Sequence, residues 1–228
     1  MTDPTYLLIH GAWGGSWCWR DLGAQFDRRG VAWVAVDLPS SANGVDVGTD
    51  LADDAATVIT ASGRHESVVL VAHSYGGAVA IEAAEAIANL ERIVYISALV
   101  PLRGASATST IKELPIKTLL DDAIESDGGY LRLDHERAIA ALYNTCSTEI
   151  ATWATAHLST QTISSFRAHR TSTDRDVPTL YVKCSLDHAV DPALQDLMAS
   201  RCQSSVTLIG DHSPMLSQPG ELCRTLLE

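Results

Sequence analysis

The chain has 228 residues, of which 46% are hydrophobic and 19% are charged, and its formal net charge is −12. This composition indicates a folded protein, built as one large domain or as one domain with an insertion, and it excludes a disordered chain. The excess of acidic residues repels phosphate groups, so we expect no nucleic-acid partner and no membrane partner.

The cysteines and the N-terminal residues indicate the cellular compartment. The five cysteines have no paired spacing such as C-x-x-C, which favours free thiols in a reducing environment. The first apolar run, residues 6–9, is too short for a signal peptide or a membrane-spanning helix. We therefore expect a soluble cytoplasmic protein.

Six apolar runs of strand length recur along the chain. They are residues 6–9, 31–36, 68–72, 93–96, 179–182 and 206–209. The runs are rich in β-branched residues and do not alternate with polar ones, which is typical of parallel strands covered on both faces. Helical segments separate them, at residues 17–29, 51–62, 78–89, 191–200 and 221–227. This alternation predicts an α/β fold with a doubly wound, mostly parallel six-stranded sheet.

One long segment without a strand-like run interrupts this alternation. Its helical character lies at residues 111–124, 134–143 and 148–158. The segment is too long for a simple loop. We expect a core of residues 1–101 and 171–228, with residues 102–170 forming a small helical cap over the sheet edge where α/β folds bind ligands.

A candidate nucleophile follows the third apolar run. The sequence Val-Ala-His-Ser-Tyr-Gly-Gly-Ala at residues 71–78 takes a strand through Ser74 into an Ala-rich helix. This is the context of a nucleophile elbow, with Ala72 at the position that the first glycine of G-x-S-x-G usually occupies. The alternative is a serine that only caps a helix.

A candidate oxyanion hole follows the first apolar run. The loop His-Gly-Ala-Trp-Gly-Gly at residues 10–15 exposes backbone N–H groups. The N–H groups of Ala12 and Tyr75 are the expected donors to an oxyanion. The alternative is an ordinary glycine-rich turn. The loop matches neither a phosphate-binding nor a dinucleotide-binding motif, and we expect no cofactor.

A nucleophilic serine needs a base, and His212 and His188 are the candidates for it. Two further histidines, His73 and His10, are expected near the serine in structural roles. His212 follows the last apolar run, as the chain order Ser, Asp, His requires, and His188 is its nearest rival. We expect the side chain of His73 to point away from Ser74 in a structural role. His10 is placed to brace the oxyanion loop.

The acid that orients the base is expected after the fifth apolar run. Asp187 lies there, whereas Asp191 directly precedes Pro192 and is better suited to cap a helix. Asp211 adjoins His212, and neighbouring loop residues rarely orient each other's rings. No histidine or cysteine spacing matches a metal site.

Several of these segments together resemble one known family. They are residues 7–13, 17–19, 37–39, 72–77 and 211–219. The chain is similar there to the α/β-hydrolase superfamily, in the branch of hydroxynitrile lyases, plant methyl esterases and their bacterial relatives. The resemblance implies a triad of Ser74, Asp187 and His212 under a helical cap.

The chain departs from the lyases of that branch at two positions. Those lyases carry a threonine at the position of Gly11 and a lysine after the histidine, where this chain has Ser213. We therefore predict an esterase that cleaves a small ester through an acyl-enzyme. A lyase, cyclase or dehydratase that uses the triad for proton transfer, and a ligand receptor, are the alternatives.

The substrate-binding residues and the oligomeric state are less defined by the sequence. Gly11, Trp13 and Trp153 are the candidate pocket residues for a small-molecule substrate, and core packing is the alternative for the two tryptophans. The sequence leaves a homodimer open.

Overall fold

A computed structural model describes residues 3–228 of the chain. Its nine strands are β1 (Thr5–Ile9), β2 (Trp33–Val36), β3 (Val68–His73), β4 (Leu90–Ile96), β5 (Ile124–Asp127), β6 (Tyr130–Leu133), β7 (Gln161–Thr162), β8 (Thr179–Cys184) and β9 (Ser204–Leu208). Six of them form one parallel sheet in the order β2-β1-β3-β4-β8-β9. These six strands overlap the six predicted apolar runs, so the predicted fold class is confirmed.

Helices flank the sheet and connect its strands. They are α1 (Arg20–Asp27), α2 (Leu51–Ser62), α3 (Gly76–Ala83), α4 (Ala107–Ile111), α5 (Leu119–Ala123), α6 (His135–Leu142), α7 (Thr148–Ala156), α8 (Ile163–Arg167), α9 (Pro192–Ala199), α10 (Pro214–Ser217) and α11 (Pro219–Leu227). Short 3₁₀ turns, Ser16–Trp19 before α1 and Ala84–Ala86 after α3, account for part of the predicted helix lengths. Within residues 3–228, no helix is long and apolar enough to cross a membrane.

The central strands are apolar on both sides because each side packs against a helical layer. Leu7 and Leu70 contribute to one hydrophobic cluster, whereas their neighbours Leu8 and Val71 contribute to the other. All four side chains are fully buried. Alternate residues of a strand point to opposite faces, so burial of both faces requires a continuous apolar run.

The prediction of a purely helical segment between residues 102 and 170 is wrong. Strands β5, β6 and β7 form a small antiparallel sheet there. Gly128 and Gly129 form the two-residue turn of its hairpin, both at positive φ, which glycine adopts without steric cost. The predicted helix at 111–124 is likewise two short helices, α4 and α5. Pro115 lies between them and lacks the N–H that a continuous helix would need.

Candidate active site

Ser74 lies on a sharp turn between β3 and α3. Its φ angle is +54°, in the left-handed region that non-glycine residues rarely adopt. The turn is held by hydrogen bonds from Gly77 N and Leu99 N to the Ser74 carbonyl oxygen, at 3.1 and 3.0 Å. A Cβ atom at Gly76 would lie only 2.6 Å from the carbonyl oxygen of His10. Close packing against the neighbouring loop therefore requires glycine at position 76, two residues after Ser74.

Two backbone N–H groups beside Ser74 lack a protein acceptor. In the described part of the chain, no group accepts a hydrogen bond from the N–H of Ala12 or of Tyr75. Both residues line the same cavity as Ser74. Unpaired donors next to a candidate nucleophile are what an oxyanion hole requires.

His10 holds the loop that carries Ala12. Its Nε2 accepts a hydrogen bond from Leu38 N at 3.0 Å, so its Nδ1 carries the proton and donates to the Gly11 carbonyl oxygen at 2.7 Å. Burial lowers the pKa of the His10 imidazole, which keeps the ring neutral. The neutral ring thus fixes the loop from both sides, consistent with the bracing role expected from the sequence.

Asp187 and His212 meet although they are 25 residues apart in the chain. The Nδ1 of His212 lies 2.8 Å from Oδ2 of Asp187, and both side chains are buried. The other carboxylate oxygen of Asp187 accepts hydrogen bonds from Ala189 N and Val190 N, at 2.7 and 2.9 Å. This arrangement orients the His212 ring and leaves its Nε2 free of the carboxylate.

Gln195 was not identified from the sequence, and it supports the Asp187 carboxylate. Its Nε2 donates to Oδ2 of Asp187 at 3.2 Å and to the Val190 carbonyl oxygen at 2.8 Å. Its Oε1 accepts from Cys184 N at 2.8 Å. The signal in the sequence is weak, since it consists only of one amide on the buried face of α9.

The rival candidates make other contacts. His188 is exposed and bonds to the carbonyl oxygen of Ala140 through its Nδ1. Asp191 caps α9 by accepting from Ala193 N at 2.8 Å. Asp211 accepts from Thr145 N at 3.0 Å, and no bond joins it to the His212 ring. Of the acidic candidates, Asp187 is the one that the fold brings to His212.

His73 has the structural role expected from the sequence, but its side chain lies closer to Ser74 than expected. We expected its side chain to point away from Ser74, but it lines the same cavity as Ser74 and His212. Its Nε2 donates to the carbonyl oxygen of His212 at 2.7 Å, and the two rings are 4.5 Å apart. Burial and the neighbouring His212 hold the pKa of His73 well below the usual value. His73 therefore acts as a neutral brace for the His212 loop.

Two cavities meet at Ser74. The larger is mostly apolar and has Ala12, Tyr75 and Phe166 in its wall. The smaller includes Gly11 and His212. Residues from the segment 102–170 line both cavities, so this segment covers the site.

The three candidate pocket residues divide into two groups. Gly11 and Trp13 line the cavities at Ser74. Trp153 is not among the residues that line them. It packs edge-on against Trp17 with the ring centres 5.5 Å apart, and the guanidinium of Arg20 lies 3.5 Å from the centre of its ring. Trp153 therefore supports the wall residue Trp17 from behind.

Residues 6–225 match the family model of the alpha/beta hydrolase family. The chain belongs to this family. It is 25% identical to methylesterase 18 of Arabidopsis thaliana, covering 100% of this chain and 97% of that protein. It is 28% identical to norfluorocurarine synthase 2 of a Strychnos species, over 98% and 94% of the two chains.

A solved structure shows the same alpha/beta hydrolase fold. The pyrethroid hydrolase of Sphingobium faniae JZ-2 superposes with a TM-score of 0.87. The alignment covers 99% of this chain and 96% of that one, at 23% sequence identity. The similarity extends over the sheet, its helices and the segment between β4 and β8, so the covering segment belongs to the shared fold.

Proposed function

We propose that this protein is a serine hydrolase that cleaves carboxylic esters through an acyl-enzyme on Ser74. The observation that carries the proposal is the convergence on one cavity of Ser74, on its strained turn, and of His212, whose ring is held by Asp187. The unpaired N–H groups of Ala12 and Tyr75 beside Ser74 support the proposed oxyanion hole.

The geometry suggests an ordinary two-step acyl transfer. Ser74 Oγ attacks the ester carbonyl carbon while Nε2 of His212 takes its proton, and the negative charge moves to the carbonyl oxygen. The N–H groups of Ala12 and Tyr75 stabilise that charge. The C–O bond then breaks, His212 returns the proton to the departing alcohol, and a water molecule repeats the sequence to release the acid.

The two cavities suggest how the ester is oriented. The departing alcohol must lie next to His212 to receive its proton, and His212 lines the smaller cavity. The acyl group then occupies the larger, mostly apolar cavity. We therefore infer a substrate with an apolar acyl group and a small alcohol. The similarity to a plant methylesterase supports this class of substrate.

The cavity walls offer little support for cyanohydrin cleavage. A departing cyanide anion needs a cation beside it, and none of the three lysines of the chain lines either cavity. A Cβ atom at Gly11 would lie 2.8 Å from Cβ of Ser74. The loop therefore has no room for a side chain that could bind a substrate hydroxyl.

The proposal is tested by offering the purified protein an aryl ester of a short fatty acid and, separately, mandelonitrile. We expect ester turnover and no detectable cyanide release. Ser74→Ala should lower kcat for the ester by on the order of 10⁴-fold, because triad members act as a unit. Cyanide release without ester cleavage, or a Ser74→Ala variant that retains full ester turnover, would reject the proposal.

A further inference from the structure

A carboxylate that the proposed reaction does not use lies buried close to Ser74. Asp54, in α2, is fully buried and accepts a hydrogen bond at 2.8 Å from the hydroxyl of Tyr75, the residue after the nucleophile. It also accepts from the backbone N and the hydroxyl of Ser40, at 3.0 and 2.5 Å. An ionisable group without solvent must be compensated by such partners.

The hydrogen bonds continue from Ser40 to the other side of the oxyanion hole. The side-chain N–H of Gln161 donates to Ser40 Oγ at 2.7 Å. The Oε1 of Gln161 accepts a hydrogen bond from Trp13 N at 3.3 Å. Trp13 directly follows Ala12 and has a φ angle of +59°, so the loop is held in a rarely adopted conformation at this point.

These hydrogen bonds converge on the Asp54 carboxylate from two sides, and the second side-chain N–H of Gln161 donates to Ser165 Oγ at 2.7 Å. From Trp13 N the hydrogen-bond chain runs through Gln161 and Ser40 to Asp54, and from the hydroxyl of Tyr75 it reaches the same carboxylate. All five residues of this hydrogen-bond chain are buried. Every donor has an acceptor, and such a closed buried network permits one arrangement of its members. One end of this hydrogen-bond chain is Trp13, which follows the proposed oxyanion donor Ala12. The other end is Tyr75, whose own backbone N–H is the second proposed donor.

We propose that this hydrogen-bond chain sets the separation of the two oxyanion donors, with Asp54 and Gln161 as positioning residues. The inference rests on the proposed ester hydrolysis for its catalytic consequence. Gln161 comes from the segment that covers the site, in β7. The covering segment thus contributes to the reaction by holding the Trp13 loop, in addition to forming the wall of the cavities.

The kinetic test removes one hydroxyl. Tyr75→Phe keeps the backbone N–H and the ring but breaks the bond to Asp54. The matched control is Tyr6→Phe, which removes another buried tyrosine hydroxyl far from the site. That hydroxyl donates to the Leu226 carbonyl oxygen on α11 and accepts from the Arg92 guanidinium. We expect Tyr75→Phe to lower kcat for an aryl ester roughly tenfold with KM within about twofold, because the donors stabilise the transition state and not the bound ester.

A second variant breaks the chain at its other end. Gln161→Met preserves side-chain length and removes the bonds to Ser40, Trp13 and Ser165. We expect the same pattern in kcat and KM, and we expect the double variant with Tyr75→Phe to lose less than the product of the two single losses. Thermal unfolding of each variant verifies that it is folded at the assay temperature.

A measurement without substrate separates this inference from the proposed function. The backbone amide signal of Trp13 in ¹H–¹⁵N spectra should shift in Tyr75→Phe and stay in place in Tyr6→Phe. If the wild-type protein cleaves no ester but Tyr75→Phe shifts the Trp13 signal, the proposed esterase function is rejected. The inferred link between Tyr75 and the Trp13 loop is then retained. An unmoved Trp13 signal, or unchanged kcat in both Tyr75→Phe and Gln161→Met, would overturn the inference.

Discussion

Asp187 and Asp191 lie four residues apart, and their environments give them different roles. Asp187 is buried and bonded to the His212 ring, to two backbone N–H groups and to Gln195. Asp191 is partly exposed and accepts from the first turn of α9. The contacts of Asp187 orient the ring of the proposed base, and those of Asp191 stabilise a helix end.

Replacing each of these carboxylates by an amide should therefore have unequal effects. Asp187→Asn should lower kcat for an ester by about 10⁴-fold, the loss known for this change in a serine protease, because an amide favours the wrong tautomer of His212. Asp191→Asn should leave kcat near wild type, since asparagine also caps helices. Steady-state kinetics of both variants measures the two effects. A larger loss of kcat in Asp191→Asn than in Asp187→Asn would assign the acid to Asp191.

The buried carboxyl of Asp54 should make the free energy of unfolding depend on pH. Burial raises the pKa of its carboxyl from 3.8 to about 6, although hydrogen bonds from Ser40 and Tyr75 oppose the shift. The folded protein therefore binds this proton more tightly than the unfolded chain. The resulting stabilisation is fully present below the unfolded pKa and is lost as the pH rises through about 6.

The comparison of wild type with Asp54→Asn isolates this contribution. On lowering the pH from 7.5 to 5, the wild-type free energy of unfolding should increase relative to that of Asp54→Asn by about 1 kcal/mol. Urea unfolding of both proteins at the two pH values measures this difference. The contributions of the other titrating groups are the same in both proteins and therefore cancel. A difference that does not change with pH would show that Asp54 titrates alike in the folded and unfolded states.

At the scale of single residues, the sequence analysis identified candidates that belong to a motif. It missed residues whose role depends on contacts with distant parts of the chain. Ser74 and His212 follow strands in a recognisable order. Gln161 and Gln195 become important only through contacts with segments far away in the chain, such as Trp13 N and the Asp187 carboxylate. Such contacts depend on tertiary packing, which no local pattern encodes.

At the scale of elements, the tight turn at Ser74 depends on how closely α3 approaches β1. A Cβ atom at Gly76, the first residue of α3, would lie 2.6 Å from the carbonyl oxygen of His10 and 2.8 Å from that of Ile9. Both obstacles are backbone atoms, which cannot move aside as a flexible side chain would. The helix can therefore follow Ser74 directly only when this residue is glycine.

Gly76→Ala should consequently lower the free energy of unfolding by roughly 1–3 kcal/mol, the usual cost of overpacking. Gly63 is the matched control, because it has helical dihedral angles and its nearest neighbouring atom would lie 3.7 Å from an added Cβ. Gly63→Ala should be neutral or slightly stabilising. Urea titrations of the two variants test this, and equal stability losses would refute the steric explanation.

Elements with a long apolar signature were predictable, and short ones were not. The central parallel strands are apolar on both faces, whereas the edge strand β9 is mostly exposed. Each of the six parallel strands overlaps a predicted run. The hairpin of β5 and β6 has four residues in each strand and one exposed face, so its residues did not form an apolar run. The pair Gly128–Gly129 was the available signal, since two glycines between short strands favour a tight turn.

At the scale of the whole molecule, the site lies between the parallel sheet and the segment that covers it. The segment lines the larger cavity with Leu114 and the smaller one with Leu158, and both side chains are partly exposed. Since His212 lines only the smaller cavity, the two cavities should select different halves of an ester.

Filling each cavity in turn tests this assignment. Leu114→Trp should lower kcat/KM for a long-chain acyl ester by about tenfold or more and spare the acetate of the same alcohol. Leu158→Trp should instead penalise acetates of bulky alcohols and spare the methyl ester of a long acid. Each variant is the control for the other, and a reversed pattern would exchange the acyl and alcohol sites.

The most direct test of the central claim is the site of covalent modification by an alkyl fluorophosphonate, which reacts with an activated serine and leaves a stable adduct. Complete inactivation toward an aryl ester should accompany a single adduct, mapped by peptide mass spectrometry to Ser74 and missing in Ser74→Ala. Full ester turnover by protein that is completely modified at Ser74, or inactivation with the adduct on another residue, would contradict the assignment of Ser74 as the nucleophile.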